Sequence, residues 1–111
     1  MATTYKRLGA AAGNGTIATA STLYTVPAAT ATVISTIVIC NTSGTAGTFS
    51  ISGSTTTSFI AGQEIVYQGA IAGNDTIGLT FGMTLDATNK YLLVSSSAAT
   101  IMFSVFGSEI A

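Results

Sequence analysis

Thr32 to Cys40, TVISTIVIC, is the longest β-branched run in the chain, and it constrains the fold more than any other stretch. Branched side chains are stiff at χ1 and pack well on a pleated surface, so the run reads as a central strand. Strict alternation places Val33, Ile37 and Ile39 on one face and Ile34, Val38 and Cys40 on the other. Both faces are then apolar. One supplies the core of the domain; the other needs a cover, which makes a partner subunit worth considering.

The rest of the chain divides into similar short runs. Thr16 to Val26 alternates weakly through Ile17, Leu23 and Val26, and Pro27, which cannot donate to a ladder, ends it. Phe49 and Ile51 mark a strand around Thr48 to Ile51, and Glu64 to Gln68 alternates cleanly, with Ile65 and Tyr67 opposite Glu64, Val66 and Gln68. Ile77, Leu79 and Phe81 share a face of Thr76 to Phe81, and Tyr91 to Val94 and Ile101 to Phe106 complete the set. In the last run Ile101, Phe103 and Val105 oppose Met102 and Phe106, a second two-faced strand.

Turn signals separate these runs at roughly ten-residue spacing. They are Asn14-Gly15, the loop Asn41 to Gly47, the exposed tip Gly53 to Ser58, Gly73-Asn74-Asp75, Leu85 to Asn89, and a hairpin loop at Ser95 to Thr100. No segment keeps helical periodicity for 11 residues. The expected fold is all-β: a single antiparallel β-sandwich of Greek-key or jelly-roll type over residues 1–111, with about eight short strands. A closed up-and-down barrel is the second choice. The first residues, about 1–15, read as an N-terminal arm or an edge strand.

Charged side chains make up only 6% of the 111 residues, three basic and four acidic, for a net charge of −1. Soluble domains carry roughly 25%. Nothing here draws the protein to nucleic acid or to an anionic membrane. So little like-charge repulsion suits a subunit that lives assembled. The mean hydropathy of +0.61 does not indicate a membrane helix, because no apolar run approaches 18 residues. MATTYKRLGA lacks the apolar stretch of a secretory signal, so folding in a cytosol is expected.

The inventory for chemistry is thin. With no histidine and one cysteine, a structural zinc site fails by counting, and neither a metal nor a cofactor is expected. Cys40 reads as a small packed hydrophobe before it reads as a reactive thiol. Glu64, Asp75, Asp86 and Glu109 are scattered over strand, turn and terminus, with no spacing that pairs them as acid and base. Asp75 and Asp86, beside Asn74 and Asn89, read as turn formers before they read as calcium ligands. Gly13, Gly15 and Ala18 fit G-x-G-x-x-A, but no helix follows, so the match is a turn. The sequons at Asn14, Asn41 and Asn74 are turns rich in Asn and Thr by the same reasoning. Tyr24, Tyr67 and Tyr91 are the aromatic candidates for a carbohydrate site. No nucleophile comes with a base, so an enzyme is not expected.

Five segments together carry a resemblance. LYTVP at Leu23 to Pro27, ISTIVICNTS at Ile34 to Ser43, AGNDT at Ala72 to Thr76, LTFGMTL at Leu79 to Leu85 and FSVFGSEI at Phe103 to Ile110 resemble small structural proteins of tailed phages, especially those of marine and cyanobacterial hosts. The chain departs from the pattern between Ser50 and Gly62, where a longer, more charged stretch gives way to serine and threonine.

The resemblance implies a virion component assembled in the host cytoplasm. The expected role is capsid decoration, or cement, with the major capsid protein and copies of itself as partners and cohesion as the function. The alternatives are a tail, neck, baseplate or fibre accessory with affinity for a host surface or glycan, and a filament subunit exchanging Thr3 to Leu8 or Ile101 to Phe106 as a donor strand. The expected interface residues are Tyr5, Lys6, Arg7 and Leu8 near the start, with Phe106, Ser108, Glu109 and Ile110 near the end.

Overall fold

The computed structural model describes residues 3–111, apart from the side chain of Phe81. Eight strands form: β1 Thr3–Ala12, β2 Ser21–Thr25, β3 Ala31–Asn41, β4 Gly47–Ser54, β5 Glu64–Ile71, β6 Thr76–Leu85, β7 Tyr91–Ser96 and β8 Ile101–Ile110. They make two antiparallel four-stranded sheets, the first in the order β1-β8-β3-β6 and the second β2-β7-β4-β5. The protein is therefore an all-β sandwich. Of the two expectations for the first residues, the edge strand is the one that forms, since Thr3 to Ala12 pairs along β8.

The pairing has a simple logic. β1 pairs with β8, β2 with β7, β3 with β6 and β4 with β5, as in one long hairpin closed between β4 and β5. Rolling that hairpin brings β3 beside β8 and β4 beside β7, which completes both sheets. The roll also places Thr3 opposite Ile110.

Facing sides of the sheets build the core. Ile34, Ile37, Ile39, Ile101, Phe103 and Val105 come from the first sheet and Phe49, Ile51, Leu92 and Val94 from the second, all essentially inaccessible. Phe49 and Phe103 meet edge to face across the layers, ring centroids 6.4 Å apart. In β8 the alternation is as expected, with Ile101, Phe103 and Val105 inside and Met102 and Phe106 half-buried outside.

In β3 the alternation breaks. Both ladders of β3 shift register between Ile34 and Thr36: against β8 Ser35 is an extra, bulged residue, while against β6 the extra residue lies on β6, between Thr80 and Met83. Parity reverses there: Ile34, Ile37 and Ile39 all face the core, and Val33, Val38 and Cys40 lie on the other side. The expected grouping of Val33 with Ile37 and Ile39 is thereby corrected, and Cys40 is half-buried on the outer face. Gly107 is paired with Ile34 beside this bulge, where a Cβ would overlap the Val33 carbonyl oxygen.

A second correction concerns Ser95 to Thr100. β7 and β8 belong to different sheets, so this stretch is a crossing and not a hairpin loop. Ser95 and Ser96 are buried strand residues, and Ser97 N–H donates to the Thr48 carbonyl at 2.9 Å to fix the corner. Asn41, a formal sequon residue, is likewise a corner post. It is buried, its amide nitrogen donates to the carbonyls of Thr45 and Ala72, and its oxygen accepts from Ser43 N–H.

Candidate functional site

The outer sides of the two sheets are the surfaces on which function can rest, and they differ. On the first sheet the ladder pairs align Arg7, Phe106, Thr36 and Thr80 in one cross-strand row. Ala10, Ser104, Val38 and Gly78 form the next, followed by Ala12, Met102, Cys40 and Thr76. Tyr5, Ser108, Val33 and Thr84 flank the Arg7 row on its other side. Arg7 is the one charged side chain in these rows. Val33, Val38, Cys40, Met102 and Phe106 are half-buried by their neighbours, and among the described residues no backbone segment hydrogen-bonds across them.

The two ends of the expected interface come together because β1 and β8 are adjacent, and strand alternation sorts them by side. Tyr5, Arg7, Phe106, Ser108 and Ile110 lie on the open face. Tyr5, 67% exposed, shares a 2.9 Å hydrogen bond with the Ser35 hydroxyl at the bulge. Lys6, Leu8 and Glu109 turn the other way. Leu8 sits at the β1 register shift and packs against the core.

Glu109 is engaged within the fold. The Tyr24 hydroxyl donates to its Oε2 at 2.5 Å, Lys6 Nζ lies 3.0 Å from its Oε1, and Tyr24 also meets the Thr32 hydroxyl at 2.9 Å. The Tyr24 and Lys6 hydrogen bonds hold the Glu109 carboxyl below its ordinary value, while burial and then Glu109 push the Tyr24 phenol up to about 12. The cluster ties β2 of one sheet to β3 and β8 of the other. Both segments expected as alternative donor strands are also paired within the chain; Ile101 to Phe106 has a strand on each side.

The outer side of the second sheet is covered by the chain itself. Leu93 alternates with the core residues Leu92 and Val94, so it points outward, yet it is fully buried. Ser50, Ser52, Ser54 and Ser95 are also buried. The last three donate to the covering loops: Ser95 Oγ to the Ile17 carbonyl at 2.8 Å, Ser52 Oγ to Gln63 at 2.8 Å and Ser54 Oγ to Ser58 at 3.3 Å. Residues 13–20 and 55–63 thus lie over this sheet, and only Thr55 to Ser58 of the expected tip is exposed.

Between these loops and β5 opens a cleft of ≈ 420 Å³, lined by Ile17, Phe59, Ile60, Glu64, Tyr67 and Gln68 among others. Of the three tyrosines considered for carbohydrate, Tyr24 is buried and engaged, and Tyr91 is half-buried with Lys90 Nζ 5.4 Å from its ring centroid. Tyr67 is 71% exposed at the cleft. The signal in the sequence for the covered face is the serine alternation at 50, 52 and 54, small hydroxyls at period two where a strand would otherwise show large polar residues.

Asp75 and Asp86 bracket β6 from opposite ends, roughly 30 Å apart at strand rise, so they do not share a cation site. Asp86 accepts from Thr88 N–H and Asn89 N–H, which holds its carboxyl below the ordinary range and closes the turn. Among the described residues no three of the metal-binding side chains cluster. No protein-family model matches this chain, and no curated protein matches it.

Proposed function

We propose that the protein is a structural component of a tailed-phage virion, a capsid decoration protein that binds the outside of the head lattice and holds neighbouring capsomers together. The observation that carries this reading is the open outer face of the first sheet, almost uncharged beside a second sheet that the chain covers with its own loops. Four strands at about 4.8 Å spacing and about ten residues of about 3.3 Å rise give a face of roughly 600 Å². A standard interface buries about 800 Å² per partner, so the face and its rim suffice for firm attachment. Read as a jelly roll, the rolled eight-strand hairpin is also an architecture that viral capsid proteins use, as lectins do.

Cohesion follows from repetition. Apolar burial contributes about 25 cal/mol per Å², less the cost of ordering each copy, and a shell multiplies whatever remains. No catalytic step belongs to this role.

Replacing Phe106 with Asp removes the large apolar side chain from the middle of the open face and sets a carboxylate opposite Arg7 there, while leaving the core untouched. The variant is expected to fold with the wild-type thermal midpoint and to lose attachment to undecorated shells in a sedimentation assay; full occupancy by the variant would refute the assignment of this face. Copy number per purified virion tests the position. Hundreds place the protein on the head, and a dozen or fewer move it to the tail, neck or baseplate.

A further inference from the structure

We propose that the cleft over the second sheet binds a neutral saccharide, with Tyr67 as the stacking platform and Glu64 and Gln68 as the hydrogen-bonding groups. This goes beyond the assembly role and uses the face of the sandwich away from the attachment surface.

The cleft has the size of a small-ligand site, which typically encloses about 300–1,000 Å³. Its walls are apolar at Ile17, Phe59 and Ile60, and the Tyr67 ring stands exposed at its margin. An aromatic face carries negative charge density and attracts the C–H groups of a flat apolar surface, such as one side of a pyranose. Glu64 Oε1 accepts from Gly62 N–H at 2.6 Å, which orients the carboxylate, and its Oε2 has no protein partner among the described residues. That oxygen is available to accept from a sugar hydroxyl.

Gln68 contributes the second observation. It is a non-glycine residue at φ 49, held there by the register shift of β4 against β5 and by its N–H donating to Ser50 Oγ at 2.9 Å. Glycine adopts such a backbone without strain, glutamine does not. Its side chain is exposed and makes no hydrogen bond among the described residues, so the fold itself gains nothing from the amide. An amide that both donates and accepts is suited to the hydroxyls of a sugar.

Charge decides the ligand class. No Lys or Arg lines the cleft and Glu64 does, so phosphates, sulfated glycans and sialylated glycans have no counter-ion there. A neutral sugar has the required apolar face and hydroxyl rim.

Titration of the ¹⁵N-labelled protein with maltohexaose, cellohexaose, chitohexaose and mannohexaose, followed by amide shifts, tests the proposal. Sialyllactose and cyclohexanol serve as controls, the latter having a ring without a rim of hydroxyls. At least one neutral oligosaccharide is expected to shift residues 17–18, 59–61 and 64–68 with millimolar affinity, more strongly than either control. Tyr67→Ala is expected to weaken it at least tenfold. Gln68→Gly is expected to weaken it at least threefold while leaving the unfolding midpoint unchanged or higher. Silence from all four oligosaccharides, equal binding of either control, or full affinity in Tyr67→Ala would each overturn the proposal. None of these outcomes bears on shell attachment through Phe106.

Discussion

The two outer faces of this sandwich are made from strands of similar length and pleat, and they meet different ends. On the second sheet, serines at every other position of β4 leave room for loops and anchor their carbonyls, so the chain covers its own surface. On the first, Val38, Cys40, Met102 and Phe106 alternate with the hydroxyls of Thr36, Thr76, Thr80, Ser104 and Ser108, yet among the described residues no loop hydrogen-bonds over them. The contrast teaches that hydrophobicity alone does not say which face will be sheltered. What matters is whether a connecting segment runs across the face and satisfies its own backbone there, as residues 13–20 and 55–63 do at Ser95, Ser52 and Ser54.

The sharpest way to break this comparison is at Leu93. It sits on an outer face yet behaves as core, so Leu93→Ala should lower stability by about 2–4 kcal/mol in chemical denaturation. Val38→Lys, the matched change on the open face, should stay within about 0.5 kcal/mol and raise solubility. Similar losses in the two variants would mean that the open face is packed as tightly as the covered one. Next in size is Ser52→Ala, which removes the anchor of residues 55–63 to the sheet. A loss of about 1 kcal/mol is expected. Faster proteolytic nicking near Thr56 should accompany it, and an unchanged cleavage rate would show that the loop is held by its apolar residues alone.

The smallest effect concerns the cluster that joins the two sheets. Because the folded state depresses the Glu109 pKa, its contribution is complete above the ordinary value of 4.5 and fades as pH falls through the lower folded value. Tyr24 has the opposite sign: its contribution is present below 10 and is lost as pH rises from there to about 12. The stability gap between wild type and Glu109→Gln should therefore be flat from about pH 5 to 9 and narrow in acid. A gap that holds its size down to pH 3 would remove the carboxylate from the account.

Much of this architecture was legible in the residues. Seven runs of apolar and β-branched side chains between turn signals became β2 to β8, the first residues became the edge strand β1, and β8 alternates as written because nothing interrupts its pleat. The misreadings share a cause. Periodicity is counted along the chain, and one extra residue at Ser35 inverts every side after it, which exchanged Val33 for Ile34 in the core. Whether Ser95 to Thr100 turns back within a sheet or crosses to the other depends on pairing partners far away in sequence. The meeting of Tyr5 and Arg7 with Phe106 and Ser108 on one face was present in the sequence only as two separate ends, since β1 and β8 become neighbours through the roll. The cleft was hidden for a like reason, its walls coming from residues 17–18, 59–61 and 64–68.

With Thr3 directly across from Ile110, tension applied between these two residues acts crosswise to the strands. It would peel β1 from β8 one rung at a time, as a zipper opens, rather than shearing a whole ladder at once. Mechanical resistance is therefore least at that corner and greatest across the broad side, where four interlocked strands yield only together.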